Sequence, residues 1–204
     1  MAKEIELKLK LTETEFNSLS AWLKDNAKFI KEVSHKEYYL DNPENSFKFI
    51  SHDGFVDATD YLRVRFTKEG DSVCLKRFEI NKSTSKSKNV GEDETVVQDG
   101  NAMLALLENL GFSDKTLISK SRKVYVYNEF EISVDIVQSL GEFVEIELLE
   151  KTKEEETDIT VGFDHIYSFL KTLGFKQITY MSRGYLSMLW NPEKDYSVIR
   201  TLAQ

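Results

Sequence analysis

Alternation constrains this chain more than any other feature. From Glu4 to Leu11, Ile5, Leu7, Leu9 and Leu11 fall on one side of an extended chain, and Glu4, Glu6, Lys8 and Lys10 on the other. A period of two is the signature of a strand with one buried face. The pattern returns along the chain. Leu62, Val64 and Phe66 oppose Arg63 and Arg65; Val73 and Leu75 oppose Lys76; Ile132, Val134 and Ile136 oppose Ser133 and Asp135; Val144, Ile146 and Leu148 oppose Glu145 and Glu147. Glu92 with Glu94, and Lys120 with Arg122, add two more charged pairs.

On any single strand this is also the pattern of an ordinary half-solvated sheet. Taken together the polar faces are unusual, because they are nearly all charged and cations segregate by strand from anions. Closing such a sheet into a barrel with charged faces inward makes a hydrophilic tunnel, with helices over the apolar faces. Buried charges are costly unless each is paired or bound to a ligand. Cations alone would suit any polyanion; carboxylates beside them would repel a bare phosphate, so the combination calls for a bridging cation such as Mg²⁺ or Mn²⁺.

Between the strands, Thr12 and Glu15 form a capping-box pattern that predicts a helix ending near Asn26. A strand is expected over 29–40, a loop or irregular strand over 41–59, and strands over 60–67, 72–80 and 89–98. The Lys/Ser-rich stretch from Asn81 to Asn89 reads as a mobile loop. A helix from Asp99 or Asn101 to Asn109, closed by Gly111, leads into a meander over 115–127, 130–138 and 142–150. Lys151 to Thr157 reads as a charged loop, followed by a helix over 158–172 ending at Gly174 and a short one over 184–190. Two echoes suggest related halves: Glu4-Ile5-Glu6-Leu7 with Glu145-Ile146-Glu147-Leu148, and a helix ending in Leu110-Gly111-Phe112 with one ending in Leu173-Gly174-Phe175.

The chain has 204 residues, a formal net charge of −8 and one cysteine, Cys74. That excludes an internal disulfide framework and a cysteine-rich zinc site. An acidic chain has no global pull on nucleic acid or anionic membranes, although a basic pocket can lie within it. With no signal-like apolar run and none near the roughly 18 residues of a membrane span, a cytoplasmic protein is expected, with neither nucleic acid nor membrane as partner.

These motifs, in this order, resemble the CYTH superfamily, also called triphosphate tunnel metalloenzymes. Glu4-Ile5-Glu6-Leu7-Lys8 resembles the Glu-x-Glu-x-Lys signature. Tyr38-Tyr39-Leu40-Asp41-Asn42-Pro43, Leu62-Arg63-Val64-Arg65, Leu75-Lys76-Arg77, Glu92-Asp93-Glu94-Thr95 and Lys120-Ser121-Arg122 are similar to the segments that follow. Asp135 and the run Leu140-Gly141-Glu142-Phe143-Val144-Glu145-Ile146-Glu147 match closely, and Ser182-Arg183-Gly184-Tyr185 resembles the C-terminal element. Val90-Gly91 stands where the family often has an arginine, which bears on Glu92 more than on Glu94. Ala58-Thr59-Asp60-Tyr61-Leu62-Arg63 is similar to the branch labelled class IV adenylate cyclase.

The resemblance covers nearly the whole chain. It implies a single α+β domain over 1–204, an eight-stranded antiparallel closed β-barrel with helices packed outside, binding a triphosphate and a divalent metal, Mg²⁺ or Mn²⁺. The metal-ligand candidates are Glu4, Glu6, Glu94, Asp135, Glu145 and Glu147. The phosphate-binding candidates are Lys8, Arg63, Arg65, Lys76, Lys120, Arg122 and Arg183, with Lys10 and Arg77 less firmly placed. Glu4, Glu6, Lys8 and Lys76 are expected to act at the reacting phosphate. His35, His52 and His165 lack metal-ligand spacing, Cys74 reads as barrel wall, and Tyr38, Tyr39 and Tyr61 read as packing before they read as a base pocket. The leading activity is hydrolysis of a triphosphate: tripolyphosphate, ATP or thiamine triphosphate. The alternatives are a class IV adenylate cyclase making cyclic AMP and pyrophosphate from ATP, and a non-catalytic polyphosphate or nucleotide binder. A homodimer is possible.

Overall fold

A computed structural model describes residues 5–81, 86–149 and 159–202. In chain order its elements are β1 (Glu6–Leu9), α1 (Glu13–Asn26), β2 (Lys28–Asp41), β3 (Lys48–Ile50), β4 (Val56–Ala58), β5 (Asp60–Thr67), β6 (Asp71–Asn81), β7 (Lys86–Val97), α2 (Gly100–Asn109), β8 (Asp114–Tyr127), β9 (Phe130–Val137), β10 (Gly141–Leu148), α3 (Ile159–Thr172), β11 (Gln177–Met181), α4 (Tyr185–Trp190) and β12 (Ser197–Thr201). The chain divides into two compact units. A terminal unit comprises Met1–Val33, Ser121–Arg183 and Asp195–Gln204; a central unit comprises Ser34–Lys120 and Gly184–Lys194.

The main sheet has ten strands in the order β12-β11-β1-β10-β9-β8-β2-β5-β6-β7, and β3 and β4 form a separate two-stranded sheet. The fold is therefore mostly antiparallel sheet with four helices among the described residues, as the α+β expectation had it. The eight-stranded closed barrel is not what the structure shows. Closure requires the backbone N–H and C=O groups of the two end strands to pair with each other. Here β12 and β7 end the order, and among the described residues no register joins them. Alternation specifies which way side chains point; it carries no information on strand number or on edge pairing.

In the terminal unit the apolar side of the alternation is core. Ile5, Leu7 and Leu9 are buried with Leu19 and Leu23 of α1, Ile132 of β9, Val144 and Ile146 of β10, and Ile166 and Leu170 of α3. Each such side chain contributes about 1.5–3 kcal/mol on burial. Ile136 departs from its expected face and is more than half exposed. The central unit has a smaller core, Leu40, Leu62, Val64 and Leu107, with Phe66, Val73, Leu75 and Leu104 packed against it.

The helix ends repeat between the units. After α2, Gly111 takes φ +95° and the Phe112 N–H donates to the Leu107 carbonyl. After α3, Gly174 takes φ +87° and the Phe175 N–H donates to the Leu170 carbonyl. Both are the glycine-closed Schellman geometry, in which a left-handed residue lets the next N–H reach back to an orphan carbonyl. The capping box forms as expected: Thr12 N–H donates to Glu15 Oε2 at 2.9 Å, and Glu15 N–H to Thr12 Oγ1 at 3.4 Å.

Three expectations change. The 41–59 stretch, expected as loop or irregular strand, holds the regular β3–β4 hairpin, and its entry is organised by Asp41, whose Oδ1 accepts from the N–H groups of Asn42 and Phe47. Residues 86–89, read as loop, are strand, paired in register with 78–81. A backbone ladder needs no apolar side chain, so composition hides it. β12 was not anticipated; all five of its residues are exposed, and it pairs with β11 along the edge. The charged 151–157 segment lies outside the described residues. No described helix is long and apolar enough to cross a membrane.

Candidate functional site

Each unit carries its own charged face. In the central unit, register sets the rows. Glu37 lies opposite Arg65, and Tyr39 opposite Arg63, across β2 and β5. Arg63 pairs with Cys74, and Tyr61 with Lys76, across β5 and β6; Cys74 then pairs with Glu94, and Lys76 with Glu92, across β6 and β7. Directly opposed residues on neighbouring strands share a face, so Arg63, Arg65, Lys76, Glu92 and Glu94 converge.

Glu37, only 2 % exposed, anchors this face. Its Oε1 accepts from Arg65 Nε at 2.7 Å and lies 2.7 Å from Arg65 Nη2, while Oε2 accepts from the Tyr39 hydroxyl at 3.2 Å. Burial pushes the Glu37 carboxyl up, but Lys120, Arg65, Arg63 and His35 together bring it below its ordinary value. Arg63 is less well satisfied. Its Nη1 donates to Tyr39 Oη at 3.4 Å and sits 3.6 Å from Glu37; its Nη2 is 3.8 Å from Glu92 and 4.0 Å from Glu94. Among the described residues, the buried Arg63 Nε has no hydrogen-bond partner. Lys76 Nζ is 3.2 Å from Glu92 Oε2, and Ser72 Oγ donates to Glu94 at 2.8 Å.

Cys74, Glu92 and Glu94 place one potential metal-ligand atom each within 4.8 Å of one another. The donor chemistry decides which of them fit a divalent ion. Burial, opposed by Arg63 and reinforced by the Glu92 carboxylate, pushes the Cys74 thiol up to about 11, and a soft sulfur donor is a poor match for Mg²⁺ in any case. Two carboxylates remain, a common protein contribution to a Mg²⁺ site that also takes substrate phosphates and water. Glu92, which the Val90-Gly91 departure had put in question, is held below its ordinary value: burial raises it, and the Lys76 hydrogen bond and charge more than offset that.

In the terminal unit Asp135 is fully buried and accepts both Arg122 Nε and Nη2 at 2.6 Å. Arg122 Nη2 also donates to Glu145, whose other oxygen is 2.8 Å from Lys8 Nζ. Glu6 lies directly opposite Glu147 across β1 and β10, and Glu147 opposite Glu131 across β10 and β9. Like charges directly opposed across strands repel each other, so the register places three carboxylates in one row.

Of the predicted residues, the structure thus gathers Arg63, Arg65, Lys76 and Glu94 in the central unit, and Lys8, Arg122, Asp135 and Glu145 in the terminal unit, with Glu6 opposite Glu147. Lys120 belongs to the central unit, 5.3 Å from the Tyr185 ring centroid. Arg183 follows β11, half-buried. Glu4 lies outside the described residues. Lys10 donates to the Leu140 carbonyl at 2.9 Å and lies over the Phe143 ring, which makes it a holder of the 138–141 turn. Arg77 pairs with Asp93 in solvent. Tyr39, Tyr61 and Trp190 border a cavity of only about 10 Å³. Glu37, Ser72 and Glu131 escaped the sequence reading. The available signal for Glu37 was its alternation with Tyr39 and Asp41.

The sequence model of the CYTH domain family matches residues 2–185. A protein of Methanocaldococcus jannaschii is 26 % identical over 186 residues, covering 91 % of this chain and 97 % of its own length. A solved structure from Vibrio parahaemolyticus superposes with a TM-score of 0.63 at 15 % identity, covering 92 % of this chain and 98 % of that one. Both of those proteins carry the name "putative adenylate cyclase". A protein of Pyrococcus horikoshii superposes with a TM-score of 0.63 at 24 % identity, covering 93 % and 99 %.

Proposed function

The chain belongs to the CYTH domain family, and from that premise we propose that it is a divalent-metal-dependent triphosphatase, releasing phosphate from an inorganic or organic triphosphate. The observation that carries this is the state of Arg63. A largely buried guanidinium whose Nε–H has no hydrogen-bond partner among the described residues, and whose contacts with Tyr39, Glu37, Glu92 and Glu94 lie at 3.4–4.0 Å, is placed to gain from an oxyanion. Arginine offers phosphate a planar fork, and Arg65 stands beside it, already oriented.

Phosphoryl transfer passes through a loose transition state, so the protein contributes mainly position and charge. Arg63, Arg65 and Lys76 bind and orient phosphate oxygens. Lys8, Lys120, Arg122 and Arg183 are further phosphate contacts on the family resemblance. Glu94 with Glu92, and Glu4, Glu6, Asp135, Glu145 and Glu147, are the proposed metal ligands. Mg²⁺ or Mn²⁺, when bound, would neutralise phosphate oxygens and keep the carboxylates from repelling the substrate. In hydrolysis a water oxygen bonds to the terminal phosphorus, the bond to the bridging oxygen breaks, and diphosphate leaves.

The second reading, an adenylate cyclase, is favoured by the names of the relatives. The cavity bordered by Tyr39, Tyr61 and Trp190 has room for about one water, so a nucleobase would have to sit elsewhere. Product analysis decides between them. Purified protein with Mg²⁺ or Mn²⁺ is given tripolyphosphate, ATP or thiamine triphosphate. Orthophosphate release that stops on adding a chelator supports the triphosphatase. Cyclic AMP and pyrophosphate from ATP would replace it with the cyclase.

A further inference from the structure

We propose that Glu37 is a positioning residue for phosphate binding: its buried carboxylate fixes the Arg65 guanidinium and, through Tyr39, the neighbouring Arg63 in the orientation that receives the substrate. This rests on the reading of Arg63 and Arg65 as phosphate ligands and adds a residue to that machinery.

The geometry is specific. A single oxygen, Oε1, takes the Nε of Arg65 at 2.7 Å and lies 2.7 Å from its Nη2. Two contacts to one atom set both the position and the tilt of the guanidinium plane. The second oxygen takes the Tyr39 hydroxyl at 3.2 Å, and that hydroxyl accepts from Arg63 Nη1 at 3.4 Å. One carboxylate therefore reaches both arginines, one directly and one through a phenol. Arg65 Nη1 is left pointing to Glu94 at 3.8 Å, too far for a hydrogen bond.

The surroundings exclude a role in solvent. Glu37 is 2 % exposed and faces Arg63, Arg65, Lys120 and His35, with Tyr39 on its own strand. A lone buried carboxylate is costly, and well-aligned hydrogen bonds from arginine offset much of that cost. Without Glu37, Arg65 has Glu94 as its nearest described carboxylate. Moving there would occupy a proposed metal ligand and withdraw the fork from the phosphate. Glu37 thus keeps cation and carboxylate apart for separate partners.

The test combines two readouts on Glu37→Ala and Glu37→Gln. Glutamine keeps an acceptor where Oε1 sits; alanine does not. Proton-exchange NMR of the Arg65 Nε–H, without ligand, should show a slowly exchanging signal in the wild type and in Glu37→Gln, lost in Glu37→Ala. Calorimetric titration with tripolyphosphate and Mg²⁺ should show affinity about tenfold weaker for Glu37→Ala, and within about threefold of wild type for Glu37→Gln. In an Arg65→Met background, Glu37→Ala should add less than twofold. Unchanged affinity in a folded Glu37→Ala protein, or equal loss in both backgrounds, overturns the proposal. So does Glu37→Gln failing like Glu37→Ala, because charge and not position would then be at work, and so does a wild type that binds no tripolyphosphate. Binding with the predicted coupling but no turnover of any triphosphate would leave the role of Glu37 standing and remove only the triphosphatase reading.

Discussion

Arg122 in the terminal unit and Arg65 in the central unit are held alike, each by two contacts of 2.6–2.7 Å from a carboxylate at most 3 % exposed. What surrounds them differs. Around Arg122 the account closes: Asp135 takes one edge, Glu145 joins from the next strand, and Lys8 completes Glu145. Around Arg65 it stays open, because among the described residues the adjacent Arg63 has a bare Nε and no charged partner nearer than 3.6 Å. The same pairing of buried carboxylate and arginine yields a self-satisfied network in one unit and an anion-seeking one in the other. Buried ion pairs tolerate removal of a partner badly, so the first, whose residues are also proposed metal and phosphate contacts, should report on stability as well as on binding, and the second chiefly on ligand binding.

The largest effect expected is in the terminal unit. Asp135→Asn leaves Arg122 short of its main counter-charge and should cost about 3–5 kcal/mol, read as a drop in denaturant midpoint. A change below 1 kcal/mol would erase the contrast. Next, Arg63→Met should lower kcat/KM for tripolyphosphate about a hundredfold, on the scale of losing one positioned transition-state donor, while thermal stability holds or rises. A stability loss as large as that of Asp135→Asn would make the two faces equivalent.

Acid stability sharpens the comparison further. The folded-state pKa of Glu37 lies below its ordinary value of 4.5. Its stabilising contribution is therefore complete above that value and is lost as pH falls through the folded pKa. Melting curves taken from neutral pH downward should fall less steeply for Glu37→Gln than for wild type; parallel curves would show that Glu37 carries no such linkage. The smallest effect belongs to Arg77, whose partner Asp93 is in solvent. Arg77→Ala should shift stability by under about 0.5 kcal/mol and leave KM for tripolyphosphate unchanged, which separates proximity in sequence to Lys76 from membership of the face.

Much of this was legible from residue order. Strict alternation exposes β1, β5, β9 and β10, and Thr12 with Glu15 exposes the start of α1. Gly111 and Gly174 mark two helix ends, because only a residue at ease with positive φ closes a helix that way. Arg63 and Arg65 were visible because i and i+2 share a face, and Lys76 because it falls opposite Val73 and Leu75 along its own strand. What stayed hidden depends on pairing between distant strands. Glu37 meets Arg65 only through a register set 28 residues away, and Glu131 joins Glu147 only when β9 and β10 align. The open edges at β7 and β12 are hidden for the same reason, since edge pairing is a tertiary property that leaves no periodic trace. β12 does carry β-branched Val198, Ile199 and Thr201, but too briefly to stand out.

The most direct test of the account is orthophosphate release from tripolyphosphate with saturating Mg²⁺, measured side by side for wild type and a folded Arg63→Met protein. The account predicts metal-dependent release by the wild type, abolished by chelator and reduced about a hundredfold in the variant. No release by the wild type, or equal release by both proteins, would contradict it.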